Sequence, residues 1–257
     1  KVTVFNIESG ILKREEPIVQ ELANEYLTEQ GITILNDVTL NSVSNDGNKP
    51  VITANGQNYT FDAVLYATGR KPNTANIGLE NTDITTNERG AIVVNDTCES
   101  SVPGVYAVGD VNGGPQFTYI SLDDFRIVFG ALTGNGQYTL KDRKNIPYTT
   151  FLTPPLARVG LTEEDAINKG YTVKTKEMLV ATMPRAHVND YLKGAFKIVV
   201  NAENNLILGA TLYSQGAEEL INLIKMAMDN NIPYTYFKNQ IFTHPTMAEN
   251  LNDLCNF

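Results

Sequence analysis

Tryptophan is absent from the 257 residues, and cysteine and histidine occur only twice each. Cys98 and Cys255 stand far apart, so there is neither a disulfide framework nor a CxxC or CxxxxC redox pair, and a reducing compartment, the cytoplasm, is expected. Basic residues are outnumbered 20 to 29, for a net charge of −9. That balance offers no basic patch to nucleic acid or anionic lipid. No apolar run reaches the roughly 18 residues of a membrane helix, so neither nucleic acid nor membrane is expected as a partner. What is present is 42% hydrophobic residues, the proportion of a folded globular chain. The chain opens directly on KVTVF, a buried-strand pattern without initiator Met or signal peptide. This start suggests a piece of a longer protein.

The first 70 residues alternate element types. Lys1 to Phe5 reads as a strand. Pro17 then opens and Gly31 closes a helix whose Ile18, Val19, Leu22 and Tyr26 recur at helical spacing. With a strand at Thr33 to Leu35 these make one parallel crossover unit. Short β runs follow, VTLNSV, PVITA and QNYTFDAVLYATG, separated by NDGN and NG turns, as in a meander. The apolar run Ala63 to Ala67 predicts a strand covered on both faces.

A second module follows the turn at Lys71 to Asn73. Val105 to Val108 predicts a strand running into a Gly-rich loop, then a helix from near Phe117 to near Gly134, and the basic KDRK at Lys141 to Lys144 reads as a linker. Beyond Asn145, strands are expected at Tyr148 to Leu152, Tyr171 to Val180, Ala195 to Val200 and Leu206 to Tyr213. Helices are expected at Thr162 to Lys169 and Ala217 to Asn230, which makes an α+β domain. There are no repeats or low-complexity tracts.

Gly109 and Asp110 stand at the carboxyl end of the Val105 to Val108 run, where ligands of open α/β sheets bind. A carboxylate there suits ribityl or ribose hydroxyls, and a tight turn with an Asx hydrogen bond is the equally weighted alternative. Gly113, Gly114 and Pro115 lead into the helix near Phe117, whose first N–H groups carry positive dipole and suit an anionic ligand edge.

Three ordered motifs, ATGRKPN at Ala67 to Asn73, GVYAVGDVNGG at Gly104 to Gly114 and FTHPTMAEN at Phe242 to Asn250, resemble the second half of the flavin-dependent pyridine nucleotide-disulfide oxidoreductases. That family includes glutathione reductase, dihydrolipoamide dehydrogenase and mercuric reductase. Within it, GPQFTYISLDDFRIV and PYTTFLTPPLARVGLTEEDA look most like the bacterial branch that reduces hypothiocyanous acid and protects against reactive chlorine species. The resemblance covers essentially the whole chain. It implies α/β and α+β architecture: part of a two-Rossmann-like-domain FAD/NAD(P) fold plus a C-terminal α+β interface domain. The implied divisions are residues 1–70 as part of the NAD(P)-binding domain, 71–144 as the returning part of the FAD-binding domain, and 145–257 as the interface domain.

Carried over by motif, the resemblance gives Asp110 the FAD ribityl chain and places the backbone of Phe117 and Thr118 at the flavin N1 and C2 carbonyl edge. Gly69 and Arg70 fall at the crossover between domains, where a structural role is favoured for Arg70. His244 matches the family's acid/base and Glu249 its orienting carboxylate. Thr246 to Glu249 also spells a capping box, and the two readings of Glu249 can coexist. His187 matches no motif and reads as a loop residue. Asn6 stands where NADH-dependent members carry a ribose-binding acid, with Glu8 two residues on, so NADH and NADPH both remain open. The family's GxGxxG loops and CxxxxC disulfide have no counterpart in these residues. Cys98 and Cys255 are expected to be inert, and no metal site is expected.

The resemblance thus implies FAD and NADH or NADPH as cofactors of a parent reductase that passes electrons to a small oxidant, with mercuric ion or a low-molecular-weight disulfide as alternatives to hypothiocyanous acid. This chain alone is expected to be inactive, and a non-catalytic dimerisation fragment is the competing reading. A homodimer through residues from about Asn145 to Phe257 is expected. Leu220, Ile221, Leu223, Ile224, Met226, Ala227 and Met228 read as apolar surface around most of one helix, hence as burial on two sides.

Overall fold

The structure, a computed structural model, describes residues 1–257. The chain forms two compact units, residues 1–64 with 145–257, and residues 65–144.

In the first unit, strand β1 (Thr3–Phe5) pairs in parallel with β2 (Thr33–Leu35), and helix α1 (Pro17–Glu29) links them. Pro17 starts the helix where its missing N–H costs nothing. The end is a Schellman motif, in which Ile32 N–H donates to Leu27 O at 3.1 Å and Gly31, at φ 78°, turns the chain out. With only two strands in this sheet, Val2 and Val4 stay exposed, so the expected burial of the opening run is only partial. Strands β3 (Leu40–Asn45), β4 (Pro50–Ala54) and β5 (Gln57–Thr60) form the expected meander. Asn55 and Gly56, both at positive φ, make its second turn. That is the mirror-image two-residue hairpin whose twist matches the strands. Phe5 meets the rings of Tyr59 and Phe61 edge-on, closing a small core with Val38, Ile52 and Ala54.

The larger part of this unit is an antiparallel sheet of β6 (Tyr148–Thr150), β7 (Leu156–Gly160), β8 (Val173–Leu179), β9 (Ala195–Asn201) and β10 (Ile207–Tyr213), in the order β6-β7-β10-β9-β8. Side chains alternate between its faces. Ala157, Val159, Phe196, Ile198, Val200, Ala210 and Leu212 join the core with helix α5 (Ala217–Asp229), while Leu156 and Tyr213 on the other face meet Val19, Ala23 and Tyr26 of α1. Every residue of β9 is therefore buried. A polar row crosses this second face, because Tyr148 pairs with Arg158, Arg158 with Thr211, Thr211 with Lys197, and Lys197 with Glu177. Glu15 and Glu16, just before α1, seat on that row. Glu15 Oε1 accepts from Tyr148 Oη at 2.5 Å, and Glu16 Oε2 pairs with Lys197 Nζ at 3.0 Å. Lys197 also pairs with Glu163 and Glu177. Burial alone would lower the Lys197 pKa, but the three carboxylates outweigh it and raise it.

The second unit is mostly loops around one long helix, α2 (Thr118–Thr133), and the short helix α3 (Glu163–Asn168) belongs to the first unit. No helix of the chain is long and apolar enough to cross a membrane.

Several expectations need correction. Ala63 to Ala67 forms no strand and Leu65 is 90% exposed, because no strand of this chain lies beside the run to take its backbone groups. Val105 to Val108 is likewise no strand; Tyr106 makes one isolated bridge to Glu99. KDRK is no linker, since Arg143, its side chain only 10% exposed, pairs with Asp123 and Asp124. Strand β7 was not anticipated, nor were α4 (Pro184–Val188), α6 (Tyr234–Asn239) and α7 (Asn250–Leu254), and His187 lies in α4 rather than in a loop. Helix α5 buries a single stripe of Leu220, Ile221, Ile224 and Ala227, flanked by Leu223 and Met228. At about 100° per residue these fall within one arc. The opposite side carries Glu219, Asn222 and Met226, the last 56% exposed in the single chain, so within this chain α5 is buried on one side.

Candidate active site

The structure brings His244 and Glu249 together. Glu249 Oε2 lies 2.7 Å from His244 Nδ1, and Oε1 accepts the Thr246 N–H at 3.0 Å. Thr246 Oγ1 in turn accepts the Glu249 N–H at 3.2 Å, closing the capping box. One carboxylate therefore serves the box with one oxygen and the imidazole with the other. The hydrogen bond from His244 holds the Glu249 carboxyl below its ordinary pKa, burial opposing and the Thr246 N–H assisting. An ionised carboxylate only accepts, so Nδ1 is the protonated nitrogen and Nε2 is left to exchange a proton with whatever approaches. The imidazole is 69% exposed, and the peptide bond to Pro245 is cis. Below the pair, Leu251 and Leu254 fix α7 in the main core, and the buried Asn250 amide donates to Thr246 O and Met247 O.

In the unit of residues 65–144, Gly109 and Asp110 open a single 3-10 turn, Gly109–Asn112. Gly109 is required there twice over. Its φ is 74°, and a Cβ would sit 2.6 Å from Ser121 Oγ, so the loop lies tight on the first turns of α2. Asp110 keeps its carboxylate at the surface, 3.5 Å from an Arg70 guanidinium nitrogen, and Gly69 precedes that arginine at φ 97°. Phe117 is the extended residue before α2 and stacks on Tyr119, and Thr118 is the first helical residue. The leading N–H groups of any helix have no intrahelical acceptor.

Asp124 was missed by the sequence reading. It is fully buried, and its Oδ2 accepts the Gly109 N–H at 2.7 Å and the Asn112 amide at 2.9 Å, while Oδ1 meets Arg143. The acid is the floor under the Gly109–Asp110 turn. Nothing in the spacing of SLDDF announces this, because the principal partner is a backbone group. Cys98 and Cys255 are buried, their thiols pushed up to about 11 and about 12 chiefly by burial, so neither is a thiolate at neutral pH.

Asn6 lies apart from both groups in the sequence. Its amide donates to Glu8 O, Gly10 O and Asn36 Oδ1 at 2.9–3.1 Å and is spent on its own loop, while Glu8 keeps an exposed carboxylate.

Two family models match, "Pyridine nucleotide-disulphide oxidoreductase" over residues 1–124 and "Pyridine nucleotide-disulphide oxidoreductase, dimerisation domain" over residues 146–255. The chain belongs to this family of flavoprotein oxidoreductases, and its mixed α/β architecture is that of the FAD/NAD(P) fold with a dimerisation domain. Among its relatives is the probable pyridine nucleotide-disulfide oxidoreductase RclA of Escherichia coli, 42% identical over 99% of this chain and 58% of that protein. Mercuric reductase of Staphylococcus aureus is 35% identical over 98% of the chain and 46% of its own length. The solved structure of the HOCl-induced flavoprotein disulfide reductase RclA from E. coli superposes with a TM-score of 0.94, covering 99% of this chain and 59% of that one. The chain thus spans about half the length of the relatives it matches.

Proposed function

We propose that the chain is the acid/base, interface and flavin-returning part of an NAD(P)H-dependent flavin disulfide reductase acting on a small oxidant. The observation that carries this reading is the single Glu249 carboxylate shared between the Thr246 N–H and His244 Nδ1. In that arrangement the imidazole is oriented and its Nε2 is left to stabilise a thiolate and to protonate a leaving group, the work of a disulfide-linked acid/base. The resemblance adds that this happens across a homodimer built through residues 145–257, with 1–70 and 71–144 returning the nicotinamide and FAD domains. The matched dimerisation domain supports the dimer.

The residues around Gly109 fit a flavin cofactor. The turn is pressed against α2 so closely that a Cβ has no room, and Asp110 presents a carboxylate outward to accept from polyol hydroxyls. Thr118, the first helical residue, brings its backbone N–H and the positive helix end to an electron-rich ring edge, beside Phe117, whose own N–H donates to Pro115 O at 3.0 Å. Gly69 and Arg70 border the same turn, with Arg70 as the structural partner of Asp110. The flavin, when bound, supplies the two-electron redox chemistry. For the nicotinamide ribose, Glu8 is the better acceptor, since its exposed carboxylate brings two acceptor oxygens, whereas the one Asn6 carbonyl oxygen already accepts from the Glu8 N–H at 3.4 Å.

Hypothiocyanous acid is the oxidant we favour over mercuric ion or a low-molecular-weight disulfide. It is supported by the sequence branch and by the higher identity to the HOCl-induced reductase than to mercuric reductase. The test is His244→Ala in the full-length enzyme. Flavin reduction by NAD(P)H should persist while the thiol-linked half-reaction slows by about 10²-fold or more. Equal loss of both half-reactions would sink the assignment. A tenfold preference for glutathione or lipoamide over hypothiocyanous acid would sink the substrate.

A further inference from the structure

His244 sits on a loop that its own backbone does not hold. No backbone–backbone hydrogen bond involves residues 240–246, and Ile241, Thr243 and His244 are exposed. Within the loop Phe242 packs against the main core and Thr246 Oγ1 donates to Thr243 O at 2.8 Å, while the polar fixed points of its two ends are side chains of one short segment. Glu249 and Asn250 hold its downstream end at Thr246. Asn252 reaches the upstream end, where its Nδ2 lies 2.6 Å from Phe237 O and 2.9 Å from Gln240 O, with Lys238 O at 3.4 Å. Those carbonyls close α6, whose last turn has no following N–H to satisfy it, since Gln240 is already extended.

Asn252 stands on α7 two residues after Asn250, and α7 itself is pinned. Leu251 and Leu254 are buried, and Lys176 of β8 donates to Asp253 O and Asn256 O at 2.7 Å, capping the helix C-terminus with a cation. The entry and the exit of the His244 loop are thus referred to one rigid support that also carries Glu249.

We propose that Asn252 is a positioning residue for the His244–Glu249 pair, its carboxamide fixing where the chain leaves α6 so that the imidazole arrives at the carboxylate. This rests on the acid/base reading of His244. The carboxamide is suited to the task because it brings two hydrogens to a cluster of carbonyls, where a carboxylate of the same shape would be repelled.

The experiment uses the full-length enzyme with Asn252→Leu, Glu249→Gln, the double variant and His244→Ala. Asn252→Leu should slow the thiol-linked half-reaction about tenfold or more, as a small misplacement does, with flavin reduction by NAD(P)H within about twofold of the parent. Adding Glu249→Gln to Asn252→Leu should cost much less than Glu249→Gln alone, because the same contact is already lost. A purely structural role for Asn252 would give additive losses or a fall in both half-reactions, and either result overturns the proposal, as does an unchanged thiol-linked rate. Should Asn252→Leu fail to fold, Asn252→Ser takes its place, with deuterium exchange of residues 237–245 read beside the rates. Faster exchange confined to that loop is the expected result, and unchanged exchange overturns the proposal. If His244→Ala leaves the thiol-linked step intact, the acid/base reading itself has failed, and this inference with it. A slow His244→Ala beside a normal Asn252→Leu fails this inference alone.

Discussion

The five-stranded sheet and the segment 65–144 spend their apolar residues in opposite ways. In the sheet, β9 buries all seven of its residues because a helical layer covers each face. In 65–144, helix α2 buries Ile120, Asp124 and Ile127 on one side and leaves Leu122, Phe125, Phe129 and Leu132 exposed on another. The helix with a second apolar stripe left uncovered by the chain is α2, whereas α5 turns one stripe to the chain's own core and sets Glu219 and Asn222 opposite it. A sheet with both faces occupied closes its own core, whereas a helix with a second apolar stripe closes only when something covers that stripe.

The largest effect that this contrast predicts is in hydrogen exchange of the 257-residue chain. Amides of β7, β9 and β10 should exchange only through global opening, and those of residues 65–108 by local opening, slower and faster by about 10³-fold or more. Comparable protection in both would break the contrast. Single substitutions sharpen it next. Phe196→Ala should cost about 3–5 kcal/mol in denaturant titration of the sheet unit, against about 0.5 kcal/mol or less for Phe129→Ala on the exposed stripe. Within 65–144, Asp124→Ala removes the buried acceptor of the Gly109 N–H and the Asn112 amide, leaves Arg143 with Asp123 alone and should cost about 3 kcal/mol or more, while Arg70→Ala at the exposed Asp110 pair should be nearly silent in thermal melts.

The smallest effect is a pH dependence. Glu249 titrates below its ordinary value in the folded chain, so it adds stability that is complete above about pH 4.3 and fades as the pH falls through the lowered value. Glu249→Gln should flatten the acid limb of stability between those two points. An unchanged acid limb would show that the hydrogen bond to His244 does not hold the carboxylate ionised.

What the sequence made legible was local. Pro17 and Gly31 bracket α1, Asn55-Gly56 makes its turn, and the acid/base pair is written within six consecutive residues, so each feature carries its own signal. Illegible features have partners that are distant or have no letter of their own. Strand β7 carries Arg158 on a buried face, which hides its pattern until Glu15 is placed opposite. Asp124 and Asn252 bind backbone groups, and no residue type marks a carbonyl or an N–H in advance. The runs at Ala63 and Val105 were misread for the converse reason, since apolar composition describes a buried strand but does not supply its neighbours.

The polar row across the sheet has a consequence for making chimeras between relatives. A crossover placed at Asn145 looks clean by composition, yet it separates Glu15 and Glu16 from Arg158 and Lys197, the two cations on which they seat. A donor segment lacking either acid would leave its cation buried with fewer counter-charges, and a recipient lacking either cation would bury carboxylates instead. Residues 1–64 and 145–257 are therefore best exchanged together, as one inherited block.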